Sequence, residues 1–225
     1  MFVVTVVQRL LKDKNLMGSP LDCSAEFTPH VSDLIQQWAT ISGWAPQEKM
    51  RDMYSLVRRE RPLCVVEVGV YAGRSLLPKA LALKHNDRGV VWGIDAWSGS
   101  VTQEGTQAPS EWPWGKTDFV AVRKELDDAL RGAELFPWVC LLQARSQDAV
   151  HRFQEESIDI LHIDGNHSEE VSTADVRNFL PKLKQGGWLW MDDTDWASVG
   201  AAYKHAQSGC DVVHDYGKYA LLRKK

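Results

Sequence analysis

Residues 158–194, IDILHIDGNHSEEVSTADVRNFLPKLKQGGWLWMDDT, constrain the fold more than any other stretch. Ile158–Ile163 is a short apolar run rich in Ile, closed by the turn-formers Asp164, Gly165 and Asn166. From Ser168 to Leu183 the period turns helical, with Val171, Val176, Phe179, Leu180 and Leu183 near one face. Gln185-Gly186-Gly187 reads as the stop of that helix. Trp188–Met191 is a second apolar run, followed at once by Asp192 and Asp193. A strand–helix–strand unit of this length is a right-handed crossover between parallel strands. Both strands then end in carboxylates at one edge, which is where open α/β sheets bind their ligands.

Three carboxylates gathered at one edge repel each other. A hard cation relieves that repulsion, and Mg2+ favours oxygen ligands, so Asp164, Asp192 and Asp193 form a candidate metal set. His167 stands where the following helix begins, placed to take a proton from a substrate hydroxyl. The plainer reading makes Asp164 and Asp193 helix caps and His167 a solvated residue.

At 225 residues, with 44% hydrophobic and 25% charged residues, the chain has the makeup of an ordinary globular protein with a sizeable core. A net charge of −4 offers no electrostatic reason to expect nucleic acid or an anionic membrane as partner. Cys23, Cys64, Cys140 and Cys210 are far apart and form no CxxC pair, which favours reduced thiols in a cytoplasmic setting over zinc or a redox dithiol. The apolar opening MFVVTVV is too short to span a membrane and lacks the marks of a signal peptide. It suits packing on the body, or on a second copy in a homo-oligomer.

Residues 16–29 look like a surface linker, and two helical patterns follow, over Val31–Ser42 and Pro46–Glu60. The second carries Met50, Met53, Tyr54 and Val57 on one stripe, more a core face than a ligand box. We read residues 1–60 as an N-terminal helical cover and 61–225 as the main domain. Leu63–Val70 is a strand apolar enough to be buried on both faces, interrupted only by Glu67, a buried acid in need of a cationic partner. Gly69 and Gly73 allow a sharp turn and a close ligand before a helix over Ser75–Lys84. Tyr71 and Arg74 stand where a dinucleotide loop needs glycine, which argues against NAD or FAD and against an oxidoreductase. Asp95 ends the next strand, Gly89–Ile94, placed to accept the ribose hydroxyls of a nucleoside. The aperiodic stretch 96–118, with Trp97, Trp112 and Trp114, reads either as a loop closing over an acceptor or as one packing on its own body. Beyond it come a helix over Phe119–Arg131, a strand over Trp138–Gln143, and Ser146 as N-cap of a helix running to Gln154. A helix over Trp196–Ser208 and a hairpin around Tyr216-Gly217 end the chain.

In these residues the chain resembles the class I S-adenosylmethionine-dependent methyltransferases. Among them it is similar to the metal-dependent small-molecule O-methyltransferases, namely catechol O-methyltransferase and the macrolide and aminocoumarin sugar enzymes. The likeness covers roughly residues 60–223 and rests on the segment Glu67 to Ser75, on Asp95, on Ser146-Gln147-Asp148 and on the spacing from Asp164 to Asp192-Asp193. It implies a Rossmann-like, seven-stranded α/β sheet, mostly parallel with a C-terminal antiparallel hairpin. It implies that Glu67, Gly69, Tyr71, Gly73 and Ser75 hold the methionine part of S-adenosyl-L-methionine, that Asp95 holds the ribose, and that Ser146 and Gln147 lie beside the adenine, with Asp164 also near the cofactor. It further implies Mg2+ on Asp164, Asp192 and Asp193, with His167 as the base. The Asp-Asp pair is closer to the sugar enzymes than to the catechol type, which has Asp-Asn. The expected reaction is methylation of a hydroxyl on a small acceptor, a sugar or glycoside, or a catechol-like diol. A broad group labelled cephalosporin-hydroxylase-like carries the same pattern, which leaves metal dependence and acceptor open. The competing readings are a metal-independent methyltransferase and a non-catalytic interaction module.

Overall fold

The computed structural model describes residues 27–105 and 114–225. The apolar N-terminal segment, the linker up to Glu26, Cys23 and Trp112 lie outside the described residues.

Helix α1 (Pro29–Trp38) starts on Thr28, whose hydroxyl accepts from the Val31 amide, and buries Val31, Ile35 and Trp38 along one stripe. Helix α2 (Gln47–Glu60) buries Met50, Met53, Tyr54 and Val57, the stripe legible in the sequence, and ends on Arg61 in the left-handed region. Strand β1 (Cys64–Val68), helix α3 (Leu76–Asn86) and strand β2 (Val90–Asp95) follow. Helix α4 (Phe119–Gly132) is capped by Asp118, which accepts from the Val120 and Ala121 amides. Then come β3 (Val139–Gln143), β4 (Ile158–Ile163), helix α5 (Glu169–Phe179), β5 (Leu183–Asp192), helix α6 (Gly200–Gly209), β6 (Cys210–Asp215) and β7 (Tyr219–Lys224).

The strands form one seven-stranded sheet in the order β3-β2-β1-β4-β5-β7-β6. β1 through β5 run parallel, and β7 pairs antiparallel with both β5 and β6. The order reverses direction between β1 and β4, which opens a crevice beyond their carboxyl ends. Side chains alternate between two cores, one on each face. Val65, Ile160, Trp188, Trp190 and Leu221 face α1 to α4, while Val66, Leu161, Leu189 and Leu222 face α5 and α6. The two N-terminal helices share the first of these cores with the sheet.

Two expectations give way. Gly186 and Gly187 do not stop α5, which ends at Phe179, just ahead of Pro181 and a short 3-10 turn. They lie inside β5, next to an irregularity in its pairing with β4, and a Cβ on Gly187 would come within 2.9 Å of the Lys184 carbonyl oxygen. Ser146 does not cap a helix reaching Gln154: Arg145 holds the cap position, the helical turn spans only Ser146–Ala149, and a 3-10 turn over Val150–Arg152 follows.

At the crevice β1 and β4 approach so closely that a Cβ on Gly69, at φ +86°, would stand 1.8 Å from the Asp164 carbonyl oxygen. The contact is backbone on backbone, with Gly69 N–H donating to Ile94 and Asp164 N–H to Val68. Gly69→Ala should lower the unfolding free energy by more than about 3 kcal/mol in urea titrations. Gly200→Ala, where a Cβ meets nothing within 4 Å, should change it by under about 1 kcal/mol.

Candidate active site at the sheet edge

The crevice opens into a cavity of about 1140 Å³. That is above the usual range for one small ligand, so a nucleoside and a second molecule fit together. Gly69, Tyr71, Gly73, Ser75 and Asp95 border it on the β1–β2 side, and Ser146 and Gln147 beside β3. Asp164, His167, Asp192 and Asp193 border it beyond β4 and β5. Of the residues assigned above to the donor, the metal and the base, Glu67 alone stands back from it, with no exposed surface.

The cationic partner that the buried Glu67 requires comes from helix α3. Lys79 Nζ donates to Glu67 Oε2 at 2.8 Å, and Ser75 Oγ donates to Oε1. Burial pushes the Glu67 carboxyl up, but Lys79 and then His162 outweigh it and bring the pKa down to about 2. Lys79 Nζ also lies 2.7 Å from His162 Nδ1, and the other ring nitrogen, Nε2, lies 2.9 Å from Asp192 Oδ2. Lys49 of α2 completes the row by donating to the same Asp192 oxygen. Lys49, Lys79 and His162 escaped the sequence reading. A signal for the first existed: Lys49 stands four residues before Met53 and seven before Leu56, on the buried stripe.

Asp95 accepts from the Val70 and Tyr71 amides through Oδ2 and from the Trp97 amide through Oδ1. A carboxylate has roughly four acceptor sites, so it holds the glycine loop in shape and keeps capacity for a hydroxyl. Gly73, at φ +90°, makes room for Leu126 of α4 rather than for a ligand alone. Trp97 is no lid: it is buried, its indole N–H donates to the Tyr71 carbonyl, and Arg123 stacks 4.4 Å from its ring. Trp114 does face the cavity, against Tyr71 (6.0 Å) and Trp44 (5.7 Å). The stretch before residue 106 is tied down by Asn166, whose amide donates to the Thr102 and Glu104 carbonyls. Tyr71, Trp97 and Asp193 all have positive φ (52°, 42° and 54°) and all sit at this edge, where ligand sites store backbone strain.

The three acids meet in two overlapping groups rather than as one set. Ligand atoms of His162, Asp164 and Asp192 lie within 4.8 Å of one another, as do those of Asp164, His167 and Asp193. Consecutive strand residues point to opposite faces, and the left-handed turn at Asp193 swings its carboxylate toward His167, whose Nε2 it meets at 2.7 Å. Trp196 stacks on that imidazole at 4.7 Å. Burial, then the Asp192 charge, holds the Asp164 carboxyl well above the ordinary range. Asp192 resists burial through Lys49 and His162 and stays well below it. These donors are a poor match for Mg2+, which takes oxygen: both groups include an imidazole, and Lys49 and His162 engage one oxygen of Asp192 while His167 engages Asp193; Asp164 meets none of the three, and Asp192 Oδ1 is buried without a hydrogen-bond partner.

Beyond β3, at the border of the cavity, Ser146 Oγ donates to Asp175 Oδ1 at 2.5 Å. Burial raises the Asp175 pKa to about 7, a shift only partly opposed by Ser146. A raised acid favours the folded state most below its unfolded pKa of roughly 4, and the gain is gone once pH passes the folded value. Asp175→Asn should therefore gain stability relative to the native chain as pH rises from about 4 to about 7, with the gap constant above, in urea melts across pH.

Residues 66–194 match the family described as a methyltransferase domain. The uncharacterized protein y4gI of Sinorhizobium fredii is 24% identical over 184 residues, 81% of this chain, and the match spans 17% of that protein's length. Three solved structures share the fold. The SAH-bound Podospora anserina methyltransferase PaMTH1 has a TM-score of 0.61 at 14% identity, covering 100% of this chain and 97% of that one. The Bacillus cereus O-methyltransferase in complex with SAH has 0.56 at 12%, over 98% and 97%. A methyltransferase from Geobacter sulfurreducens has 0.56 at 16%, over 99% and 97%. With its strand order, its glycine loop at the crevice and this match, the chain belongs to the methyltransferase-domain family and has the fold of the class I S-adenosylmethionine-dependent O-methyltransferases.

Proposed function

We propose that this protein transfers the methyl group of S-adenosyl-L-methionine to a hydroxyl oxygen of a small polyhydroxylated acceptor, a sugar or glycoside. The observation that carries the reading is the His167–Asp193 pair, which opens onto the same cavity as the Gly69–Ser75 loop. In this reading the methionine end of the donor lies along Gly69, Tyr71, Gly73 and Ser75, its ribose meets Asp95, and its adenine lies near Ser146 and Gln147. Glu67 acts from behind, by holding Ser75.

The methyl group of a sulfonium is already activated, so the protein must align the partners and free an oxygen lone pair. His167 points Nε2–H at Asp193, which leaves Nδ1 to accept the hydroxyl proton. As the proton moves, the acceptor oxygen bonds to the methyl carbon and the electrons of the broken carbon–sulfur bond stay on sulfur. The products are a methyl ether and the neutral thioether, and Asp193 steadies the imidazolium. Trp196 fixes the ring plane by stacking. Trp44, Tyr71 and Trp114 offer aromatic faces of the kind that pack on a sugar ring. The resemblance also implies Mg2+ on Asp164, Asp192 and Asp193. Because both candidate groups include an imidazole and Asp192 and Asp193 are engaged within the protein, no step is routed through a metal. The thiols of Cys64, Cys140 and Cys210 are unpaired, in keeping with a reducing, cytoplasmic setting. Among the described residues no helix is long and apolar enough to cross a membrane.

Calorimetry should detect donor binding, and mass spectrometry should detect a 14-dalton gain on members of a panel of sugars and diols. His167→Ala should lower kcat by roughly 10²–10⁴-fold while leaving donor affinity within about twofold. Donor binding with no turnover anywhere on the panel would favour an interaction module instead, and undiminished turnover in the variant would remove His167 as the base.

A further inference from the structure

The acidic edge holds its own cation. Lys49 enters from α2, outside the segment that matches the family, and its side chain is only 7% exposed. Its ammonium donates to Asp192 and lies 4.9 Å from the centre of the Tyr219 ring, the partner of Asp192 across β5 and β7. Apolar neighbours at Met50, Met53 and Leu56 fix the helix that carries it. The ammonium also borders the cavity, on the side where Asp164 and Asp193 stand. A lysine nitrogen thus stands against Asp192, among the carboxylates where a metal was expected.

We propose that the Lys49 ammonium replaces a divalent ion in this methyltransferase: it neutralises the carboxylates of the edge and donates a hydrogen bond to the acceptor oxygen. An ammonium has three donors, and Asp192 uses one of them. A donor aimed at the attacking oxygen lowers the cost of removing its proton, which is the service a metal renders in other sites. The proton itself still goes to His167, and the atoms balance as described above. The proposal rests on the methyl-transfer reading for its catalytic half only. The exclusion of metal stands or falls by itself.

The test has two arms. In the first, Mn2+ is titrated into the intact protein with and without SAH and followed by electron paramagnetic resonance. The native chain should show no stoichiometric site, whereas Lys49→Met should gain one that Asp192→Asn in the same chain removes. A stoichiometric Mn2+ site in the native chain overturns the proposal without reference to turnover. In the second arm, native turnover should change less than twofold in EDTA. Lys49→Met should lose at least 100-fold in kcat with SAH affinity kept within threefold, and Lys49→Arg should recover part of the loss. Loss of native turnover in EDTA, or native kcat in Lys49→Met, overturns the proposal, the latter leaving Lys49 a merely structural ion pair. Should Lys49→Met fail to fold, Mn2+ titration and EDTA on the native chain still decide. Absence of turnover on every acceptor would count against the methyl-transfer reading and leave the metal arm intact.

Discussion

A single row of buried polar contacts holds this molecule together at its functional edge. It runs from Ser75 through Glu67, Lys79 and His162 to Asp192 and Lys49, along one face of β1, β4 and β5. Removing an ion from water costs several kcal/mol, and a buried charge that loses its partner costs about 3–5 kcal/mol. The row meets that constraint by alternation: each carboxylate lies against an ammonium or an N–H, and the imidazole links the two halves through its two nitrogens. The register of the strands makes this possible, since Glu67 stands beside His162 and His162 beside Trp190. Asp192, two residues beyond Trp190, falls on that same face.

The row ties together parts of the site with different work. Ser75 belongs to the glycine loop beyond β1, and Asp192 and Lys49 border the same cavity beyond β5. It also locks α2 onto the sheet. The N-terminal helices are thus part of the site's electrostatics as well as of its core. Elsewhere the edge holds its shape through backbone contacts: Asp95 on the glycine loop, Asn166 on the loop before residue 106, and glycine where β1 meets β4.

Much of this architecture was legible in the residues. Apolar runs of five or six residues with a helical period between them leave few choices other than a parallel crossover. The carboxylates closing β2, β4 and β5 follow from where those runs end. Local punctuation was less secure. Gly186-Gly187 looks the same whether it stops a helix or makes room for a neighbouring strand, and Ser146 looks the same whether it caps a helix or bonds to Asp175. The partner that decides each case is remote in sequence: Asp159, whose carbonyl oxygen lies 3.1 Å from a Cβ on Gly187, and Asp175.

The sequence by itself determined the order of elements along the chain and the set of polar groups delivered to one edge, because these depend on hydrophobic period and on turn chemistry within short windows; the reversal of strand order between β1 and β4 came from the tertiary structure. Only the tertiary structure decided how those groups pair. Glu67 found Lys79, Asp193 found His167, and Asp192 found Lys49 across 143 residues of chain. Charge pairing depends on distances of a few ångströms between side chains on different elements, and no local pattern encodes them. An edge that reads as a metal site from its acids alone thus folds with a lysine against one of them.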